Sequence, residues 1–364
     1  MHPTAALRPD QLASFRAELD ALRAEHMARL GEEDGRHVRR VRAVARASHA
    51  AGRLLVQLSL DPVTWGAGVA ALALYKVLEN MELGHNVLHG QYDFLRDPSL
   101  SSRTYEWDFA GPARAWKRAH NATHHVYTNV IGRDRDFGYG MFRFSDDVPW
   151  QPVHLLQPLL SPLSGLFFQY AIGAFDVGEH DRPRELRAFL RKAARKGAVE
   201  YLLLPALAGP MAPKVLAGNA LANAIRNLWA YAVIYCGHLT EGTATFPEEV
   251  LELEDRAGWY LRQASGSGNF EIGRVGQLLS GHLCFQIEHH LFPNVPAWRY
   301  PEMAPRVRDI CRRHGVPYVT GTLRAQFTSA MRRLLRHALP PRRPAGAARA
   351  PEAAPFAIPG AAQA

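Results

Sequence analysis

The sequence predicts an all-α fold, that of an integral-membrane helical protein with transmembrane hairpins and a cytoplasmic helical cap. Three observations predict it: long apolar regions, basic clusters beside two of them, and apolar residues at helical spacing near the start of the chain. Of the 364 residues, 47% are hydrophobic and 21% charged, so the chain can bury a sizeable core, and a wholly disordered chain is excluded. The mean hydropathy of −0.19 indicates that much of the chain lies outside a bilayer.

The first predicted element is an amphipathic helix. From Asp10 apolar residues recur at helical spacing with charges between them, and Gly31 ends the pattern. They are Leu12, Phe15, Leu19, Leu22, Met27 and Leu30. We expect this helix and the basic stretch after it to form a region at 1–49, followed by the main domain at 50–320. Residues 321–364 are predicted to form a C-terminal helix and a disordered tail rich in Ala, Pro and Arg.

The three apolar regions are candidate membrane segments, at residues 54–83, 148–175 and 201–240. If the histidines described below meet at one site, an even number of crossings separates them. We expect 148–175 to lie along the interface, because it carries three prolines and a basic stretch follows it, and 201–237 to form the hairpin. The topology of 54–83 stays open, since it has about thirty residues and two spans need roughly forty.

The formal net charge of +9 is compatible with nucleic acid, an anionic membrane surface or an acidic ligand. The basic residues gather before two of the apolar regions, as they do at a cytoplasmic membrane face. They are Arg36, Arg39, Arg40, Arg42, Arg46 and Arg53, and then Arg182, Arg184, Arg187, Arg191, Lys192, Arg195 and Lys196. Because no nucleic-acid-binding motif accompanies them, membrane lipids are the expected partner and nucleic acid is not.

Cysteine use and the first residues of the chain indicate a reducing compartment. Three cysteines are too few for a disulfide framework. The opening residues MHPTAALRPDQ lack the hydrophobic region of a secretory signal.

Histidine is abundant, with seventeen copies, and its placement is the strongest functional signal. Three short segments, HNVLH, HNATHH and QIEHH, hold His85, His89, His120, His124, His125, His289 and His290. A spacing of i, i+4 puts two imidazoles on one helix face, although a single such pair is weak evidence because it occurs by chance on many helices. Buried imidazoles without partners cost free energy, so three clusters together predict metal ligation.

In these three boxes, their order and the lengths between them, the chain resembles integral-membrane fatty acyl desaturases over about residues 50–300. The surrounding words LGHNVLHGQYDF, HHVYTN and QIEHHLFPNVP are similar to those of bacterial acyl-CoA or acyl-lipid members. The resemblance implies a non-haem di-iron centre with two Fe ions, held by the cap at the cytoplasmic face of the membrane, a bacterial inner membrane. It also implies O2 and a fatty acyl-CoA or acyl-lipid as substrates and a cis double bond as the product. Imidazole is a suitable ligand for iron.

Two further histidines are candidate ligands. His238 lies where similar desaturases place an extra histidine, at the cytoplasmic end of the second hairpin helix. His282 stands four residues before Gln286 and so shares a helix face with it, which makes it either a ligand or a residue that orients one. Gln286 replaces a histidine found in other members, and this leaves one coordination position open. The other eight histidines are scattered along the chain, and we interpret them as surface or interfacial residues.

Polar neighbours of the boxes are expected to orient the imidazoles, because a ligating histidine usually donates its second N–H to an acceptor. Besides Gln286, the candidates are Glu82, Asn86, Asn121, Asp134, Asp136 and Glu288. Each of them is as well explained as a solvated or capping residue, and Asp134 and Asp136 are the stronger candidates. Four aromatic residues are candidates for an acyl tunnel or for the ordinary core: Trp107, Trp116, Tyr127 and Phe285.

The electrons for such a reaction would come from another protein. The sequence has no HPGG haem-binding word, no GxGxxG motif for flavin or nicotinamide, and no cysteine set for an iron–sulfur cluster. We therefore expect an external ferredoxin or a flavin/iron–sulfur reductase as the donor.

Three other functions remain open at this point. A membrane hydroxylase of fatty acids or alkanes would use the same iron centre and return oxygen to the carbon, and the oxygen content of the product separates it from a desaturase. A zinc-dependent membrane hydrolase of lipid amides or esters would contain zinc and act without O2. A non-catalytic binding protein that keeps the fold would show no iron-dependent turnover. A fold by itself does not decide among such functions.

Overall fold

The computed structural model describes residues 7–177, 182–252 and 254–341. Within these ranges the chain is helical, with turns and three isolated parallel bridges, Val130–Phe246, Gly268–Val319 and Glu271–Thr322, and no longer strand. The predicted all-α class is confirmed. The predicted disordered tail is residues 338–364. Ala338 is the last residue of the final helix, and 342–364 lie outside the described residues.

The α-helices of six residues or more in the described ranges are α1 (Pro9–Ala28), α2 (Glu32–Leu58), α3 (Pro62–Val77), α4 (Ala113–Ala119), α5 (Gln157–Leu166), α6 (Phe168–Phe175), α7 (Arg182–Ala198), α8 (Ala212–His238), α9 (Arg256–Ser265), α10 (Arg274–Leu279), α11 (Gln286–Leu291), α12 (Tyr300–His314) and α13 (Leu323–Ala338). Three π-helical turns continue α3, α4 and α7, at Leu78–His85, His120–His124 and Val199–Leu203. Short α-helical turns follow them, at Asn86–Leu88, His125–Tyr127 and Leu204–Leu207.

The predicted N-terminal amphipathic helix is α1, and its apolar stripe is buried. Phe15, Leu19 and Leu22 are at most 1% exposed and pack with residues of α9, α11 and α12. The helix thus lies against α9 and α12 and completes a hydrophobic core that also contains Ile287 and Leu291 of α11. Three- and four-residue spacing of apolar residues was enough to predict this face.

The break at Asp61 in the first apolar region separates α2 from α3. The Asp61 carboxylate accepts hydrogen bonds of 2.9 Å from the backbone nitrogens of Val63 and Thr64, and Pro62 occupies the first helical position. The chain therefore turns back, and α3 packs along α2. A Cβ atom on Gly68 would lie 2.7 Å from the backbone nitrogen of Val56, so the two helices meet at a glycine.

The apolar region 148–175 forms α5 and α6. The apolar region 201–240 forms the helical turns that continue α7, and then α8. The region 148–175 is divided where α5 ends, at Phe167. Among the described residues, none of the helices combines the length and the apolar character that a membrane crossing requires. The transmembrane hairpins stay a prediction.

Two of the π-helical turns carry the first and second histidine boxes. A π-helical turn adds a residue to the helix turn, and such turns occur often at functional sites. Here the turn at Leu78–His85 ends on His85, and the turn at His120–His124 begins and ends on histidines. These distortions, together with α8 and α11, position the site.

Candidate metal centre

The three histidine boxes and the last residue of α8 converge in the interior of the protein. His85 and His89 lie on the helical turns that continue α3, and His238 ends α8. The second box lies at the end of the α4 segment, and the third box is α11. All eight histidines in these positions are buried except His89, which is half-buried. Four separate segments thus supply imidazoles to one region.

The imidazoles gather into groups whose potential ligand atoms all lie within 4.8 Å of one another. The first group is His85, His89, His120 and His289, and the second is His124, His238 and His290. A third, overlapping group joins His125 to His289 and His290. The groups thus describe two neighbouring positions for a metal ion, with His125 between them.

The spacing of the nitrogen atoms fits ligation of metal ions. The Nε2 atoms of His124 and His290 lie 3.3 and 3.0 Å from Nε2 of His238, and Nε2 of His120 lies 3.2 Å from Nε2 of His125. Metal–nitrogen bonds of about 2.1 Å separate neighbouring ligand nitrogens by roughly 3.0–3.4 Å. A shared cation explains this convergence better than hydrogen bonds do, since neutral imidazoles have one proton each.

Several buried polar atoms at the same place have no hydrogen-bond partner among the described residues. They are Nε2 of His85 and His89, Nδ1 of His125, both ring nitrogens of His289, and Oε1 of Gln286. Each such orphan costs roughly 1–3 kcal/mol. A bound metal ion would satisfy the imidazole nitrogens, so the residues present fit a two-metal centre.

The electrostatic surroundings keep most of these imidazoles neutral, which is the form that binds a metal. Burial lowers the pKa of His85 to about 4. Burial, and then the neighbouring imidazoles, also hold the pKa well below its ordinary value in His89, His120, His125, His289 and His290. His124 differs: burial lowers its pKa, but the nearby carboxylates of Asp134 and Asp136 outweigh burial and leave the pKa raised.

Three of the predicted orienting residues contact a box histidine. Nδ1 of His124 lies 3.0 and 3.1 Å from the two carboxylate oxygens of Asp134, and Nδ1 of His85 lies 3.1 Å from Oδ1 of Asn86. Nδ1 of His120 lies 3.4 Å from Oδ2 of Asp136. The Asp134 carboxylate also accepts hydrogen bonds from the backbone nitrogens of residues 129 and 136, which fixes its position.

Other predicted site residues have different partners. Nδ1 of His282 lies 2.9 Å from Oε2 of Glu82, and His282 belongs to none of the groups above. Glu288 accepts hydrogen bonds from Asn269 and Tyr318, and Asn121 donates to the Leu88 carbonyl. Gln286 does lie at the centre, with Nε2 2.8 Å from Nε2 of His238.

Two polar side chains at the centre were missed by the sequence analysis. Oε1 of Gln263 lies 2.8 Å and Oγ1 of Thr128 lies 3.2 Å from Nδ1 of His290. Thr128 could have been found, because it stands four residues after His124, one helical turn away. Gln263 gives no such signal, because it lies on α9, distant in sequence from the second and third boxes.

A largely apolar cavity adjoins the centre. Its metal end is lined by His85, His120, His124, His238 and Gln286. Beyond them the lining is apolar or aromatic and includes Met81, Trp107, Phe109, Trp116, Phe168, Ala230 and Ile234. Two of the predicted tunnel aromatics, Trp107 and Trp116, therefore line the cavity, whereas Tyr127 and Phe285 do not. The cavity also contains the carboxylates of Asp136 and Asp176.

Replacing Asp134 by asparagine is expected to weaken metal binding about 10- to 100-fold, because it removes the carboxylate that orients His124. The measurement is the iron content of purified protein, by mass spectrometry, across a series of free Fe²⁺ concentrations. Glu288→Gln is the matched control, since Glu288 is equally buried but bonds Asn269 and Tyr318. Equal iron affinity in Asp134→Asn and the wild type would contradict an orienting role for Asp134.

Comparison with known proteins identifies the family. The family model described as fatty acid desaturase matches residues 62–322, which contain all three histidine boxes. A protein of Mycobacterium tuberculosis named NADPH-dependent stearoyl-CoA 9-desaturase is 39% identical over 350 residues, which cover 92% of this chain and 82% of that protein. The sn-1 linoleoyl-lipid 6-desaturase of Synechocystis sp. is 27% identical over 291 residues, 73% of this chain and 78% of that protein. The chain belongs to the fatty acid desaturase family.

Proposed function

We propose that this fatty acyl desaturase introduces a cis double bond into a long saturated acyl chain, at a histidine-held di-iron centre, with O2 and electrons from a separate donor. The observation that carries the proposal is the convergence of eight histidines on two adjoining positions at the end of an apolar cavity. The cavity offers a place for a hydrocarbon chain, and the histidines offer a place for the oxidant.

The ligand set divides between the two irons. His85, His89, His120 and His289 would hold one ion, and His124, His238 and His290 the other, with His125 between them. Bound iron supplies the oxidising power, drawn from O2 and two electrons, that hydrogen removal from an unactivated methylene requires. Asp134 and Gln263 fix the rings of His124 and His290 from outside.

The residues of the cavity would hold the acyl chain beside the centre. Trp116 stacks on His120 with ring centroids 4.4 Å apart, so its indole lies where the metal end meets the apolar part. Trp107 packs against Trp116 at 5.1 Å. These rigid rings allow the acyl chain few positions in the cavity. The depth at which the acyl chain is held then selects which pair of its carbons loses hydrogen.

The substrate we propose is stearoyl-CoA, with the double bond at carbon 9. It rests on the name of the Mycobacterium tuberculosis relative and on its 39% identity over 92% of this chain. That relative is also named as NADPH-dependent, and no cofactor-binding motif for NADPH occurs in this sequence. The electrons would therefore pass from NADPH through a separate ferredoxin or flavin/iron–sulfur reductase.

The proposed location is a membrane, with the centre on its cytoplasmic face. Large apolar side chains are exposed along the second half of α2 and just after it, on α5, on the turns that continue α7 and on α8. Among them are Leu54, Leu58, Leu60, Leu159, Leu163, Leu202, Leu203, Leu207, Leu216, Leu221, Ile225 and Leu228. Exposed apolar surface of this extent is favourable against lipid and costly in water.

The test is a reconstituted reaction with purified, iron-loaded protein, stearoyl-CoA, O2, NADPH, a plant-type [2Fe–2S] ferredoxin and its NADPH-dependent reductase. We expect an 18-carbon monoene by gas chromatography with mass spectrometry, and derivatisation of the double bond is expected to place it at carbon 9. Omitting O2 or the ferredoxin is expected to remove the product.

Two products would contradict the proposal. A hydroxylated acyl chain that depends on O2 would indicate the hydroxylase. Free fatty acid that forms without O2, from protein that contains zinc, would indicate the hydrolase.

A further inference from the structure

A half-buried tryptophan lies at the surface beside α2 in a rigid setting. The indole of Trp298 stacks on the imidazole of His37, with ring centroids 5.1 Å apart and planes within 15°. Its N–H donates to Oδ1 of Asp34 at 2.9 Å, and the guanidinium of Arg299 lies 4.9 Å above its ring. Asp34 and Arg299 form a buried ion pair, so the indole is held from three sides.

A continuous series of contacts leads inward from this pair. Nε2 of His37 lies 3.0 Å from Oε1 of Glu82, and Oε2 of Glu82 lies 2.9 Å from Nδ1 of His282. The carbonyl of Gly281, next to His282 in the chain, accepts a hydrogen bond of 3.5 Å from Asn86.

Asn86 is the residue whose Oδ1 lies 3.1 Å from Nδ1 of His85. Covalent bonds, hydrogen bonds and one ring stack therefore connect a surface indole to a proposed iron ligand. The side chains of His37, Glu82, His282 and Trp298 do not line the acyl cavity, so their contacts do not serve to hold the acyl chain there.

The surface beside the stack keeps a net positive charge. Residues 32–46 contain three acidic residues and five arginines. Glu32 pairs with Arg39, Asp34 with Arg299 and Arg42 with Asp97, which leaves more arginines than carboxylates. Arg36 and Arg40 are exposed and form no ion pair with any residue in the described ranges. Arg40 stands three residues after His37, and residues at that spacing are neighbours on a helix surface. An acidic partner would therefore be attracted to the place where the indole meets solvent.

We propose that the Trp298–His37 stack is the point at which an acidic, one-electron iron–sulfur protein docks and delivers electrons, with Arg36 and Arg40 as its docking charges. The proposal rests on the proposed function. In each turnover two reduced clusters give up one electron each, and O2, two protons and two hydrogens of the acyl chain become two waters and one double bond. Glu82 and His282 are positioning residues on the inward route.

The test uses the iron-loaded full chain in detergent and, as the probe, a plant-type [2Fe–2S] ferredoxin kept reduced by NADPH and its reductase. Ferredoxin affinity is measured by biolayer interferometry at several salt concentrations. The KM for ferredoxin, kcat and the rate of iron reduction by dithionite with methyl viologen are measured separately. The paired variants are Arg36→Glu/Arg40→Glu and, as a control of equal charge change, Arg324→Glu/Arg332→Glu on α13, where both arginines are also exposed.

We expect Arg36→Glu/Arg40→Glu to weaken ferredoxin affinity and raise its KM at least about tenfold, with kcat at saturating ferredoxin preserved. The control pair, Arg324→Glu/Arg332→Glu, is expected to change the ferredoxin affinity and the KM for ferredoxin by less than about twofold. His37→Gln keeps an N–H for Glu82 and loses the ring. It is expected to slow iron reduction by ferredoxin about tenfold and leave reduction by dithionite and ferredoxin affinity unchanged.

The docking proposal is overturned if both arginine pairs weaken ferredoxin binding equally, or if His37→Gln slows reduction by dithionite as much as reduction by ferredoxin. Failure of the proposed function is a separate result: wild-type protein would form no monoene with any reductant, while ferredoxin affinity would still decide the docking surface.

Discussion

Replacing His289 by alanine is expected to lower desaturation by more than about 100-fold and to cause loss of bound iron. His289 is fully buried, and neither of its ring nitrogens has a hydrogen-bond partner among the described residues. His289 is a third-box histidine that belongs to two of the ligand groups. In one it joins His85, His89 and His120, and in the other it joins His125 and His290. Changes to residues that only orient ligands cost 10- to 100-fold, so removal of a shared ligand is expected to exceed that range.

The measurement combines iron per protein, by mass spectrometry, with monoene formation from stearoyl-CoA. The interpretation of His26 as a surface or interfacial residue was wrong, because it is fully buried on α1 and neither ring nitrogen has a partner among the described residues. His26 belongs to none of the ligand groups, so His26→Leu is the matched control. We expect this control to keep its iron and its activity. Thermal unfolding of both variants separates loss of metal from loss of fold. Full iron and an unchanged rate in His289→Ala would contradict the assignment of the ligands.

Part of the convergence of the histidines could be predicted from the sequence, because the histidines within a box are close along the chain. His85 and His89 are one helical turn apart, and any helix brings them together. The metal chemistry of imidazole then requires the boxes to meet, without knowledge of the tertiary fold. The same local reasoning predicted the buried stripe of α1.

His282 marks the limit of such reasoning. Its spacing from Gln286 predicts a shared helix face, but only if the helix is continuous. Gly281 and His282 have φ angles of +65° and +57°, and a Cβ on Gly281 would lie 2.3 Å from the Met81 carbonyl. The backbone therefore turns sharply here, α11 begins at Gln286, and the His282 ring contacts Glu82 instead. Tertiary contact with Met81 decides this turn, and sequence spacing does not contain it.

Gln263 shows the same limit from the other side. It contacts the His290 ring from α9, which packs on α11. Nothing near Gln263 in the sequence marks it, since glutamine is common on helices. Residues that orient a ligand from another helix depend on how the helices pack, so they are found only after the fold is known.

Replacing Ala230 by phenylalanine is expected to shift the preferred substrate to a shorter acyl chain. His238, Ile234 and Ala230 line the cavity on successive turns of α8, leading away from the metal end. Each turn advances about 5–6 Å. One turn further along α8, Arg226 and Asn227 are polar and do not line the cavity. Arg226 donates hydrogen bonds to the side-chain oxygens of Asn223 and Asn227, and Asn227 donates one to the Leu166 carbonyl.

We expect the layer formed by Arg226 and Asn227 to close the apolar space, because a methyl end placed against buried amide and guanidinium groups would break their hydrogen bonds. Ala230 is then the last small side chain of the lining before the polar layer, and Phe109 and Phe168 also line the cavity. A phenyl ring at this position would occupy the space that the end of an 18-carbon chain needs. A 14-carbon chain would end before it.

The measurement is kcat/KM for stearoyl-CoA and myristoyl-CoA with the wild type and Ala230→Phe. We expect the ratio of the two values to shift at least about tenfold toward myristoyl-CoA, which corresponds to about 1.4 kcal/mol. Ala217→Phe is the control, because residue 217 is an exposed alanine on the same helix. Overpacking would instead lower both rates together and reduce thermal stability. A cavity that ends at the polar layer predicts the shift in the ratio. An unchanged ratio of the two values, with unchanged thermal stability, would show that the cavity ends elsewhere.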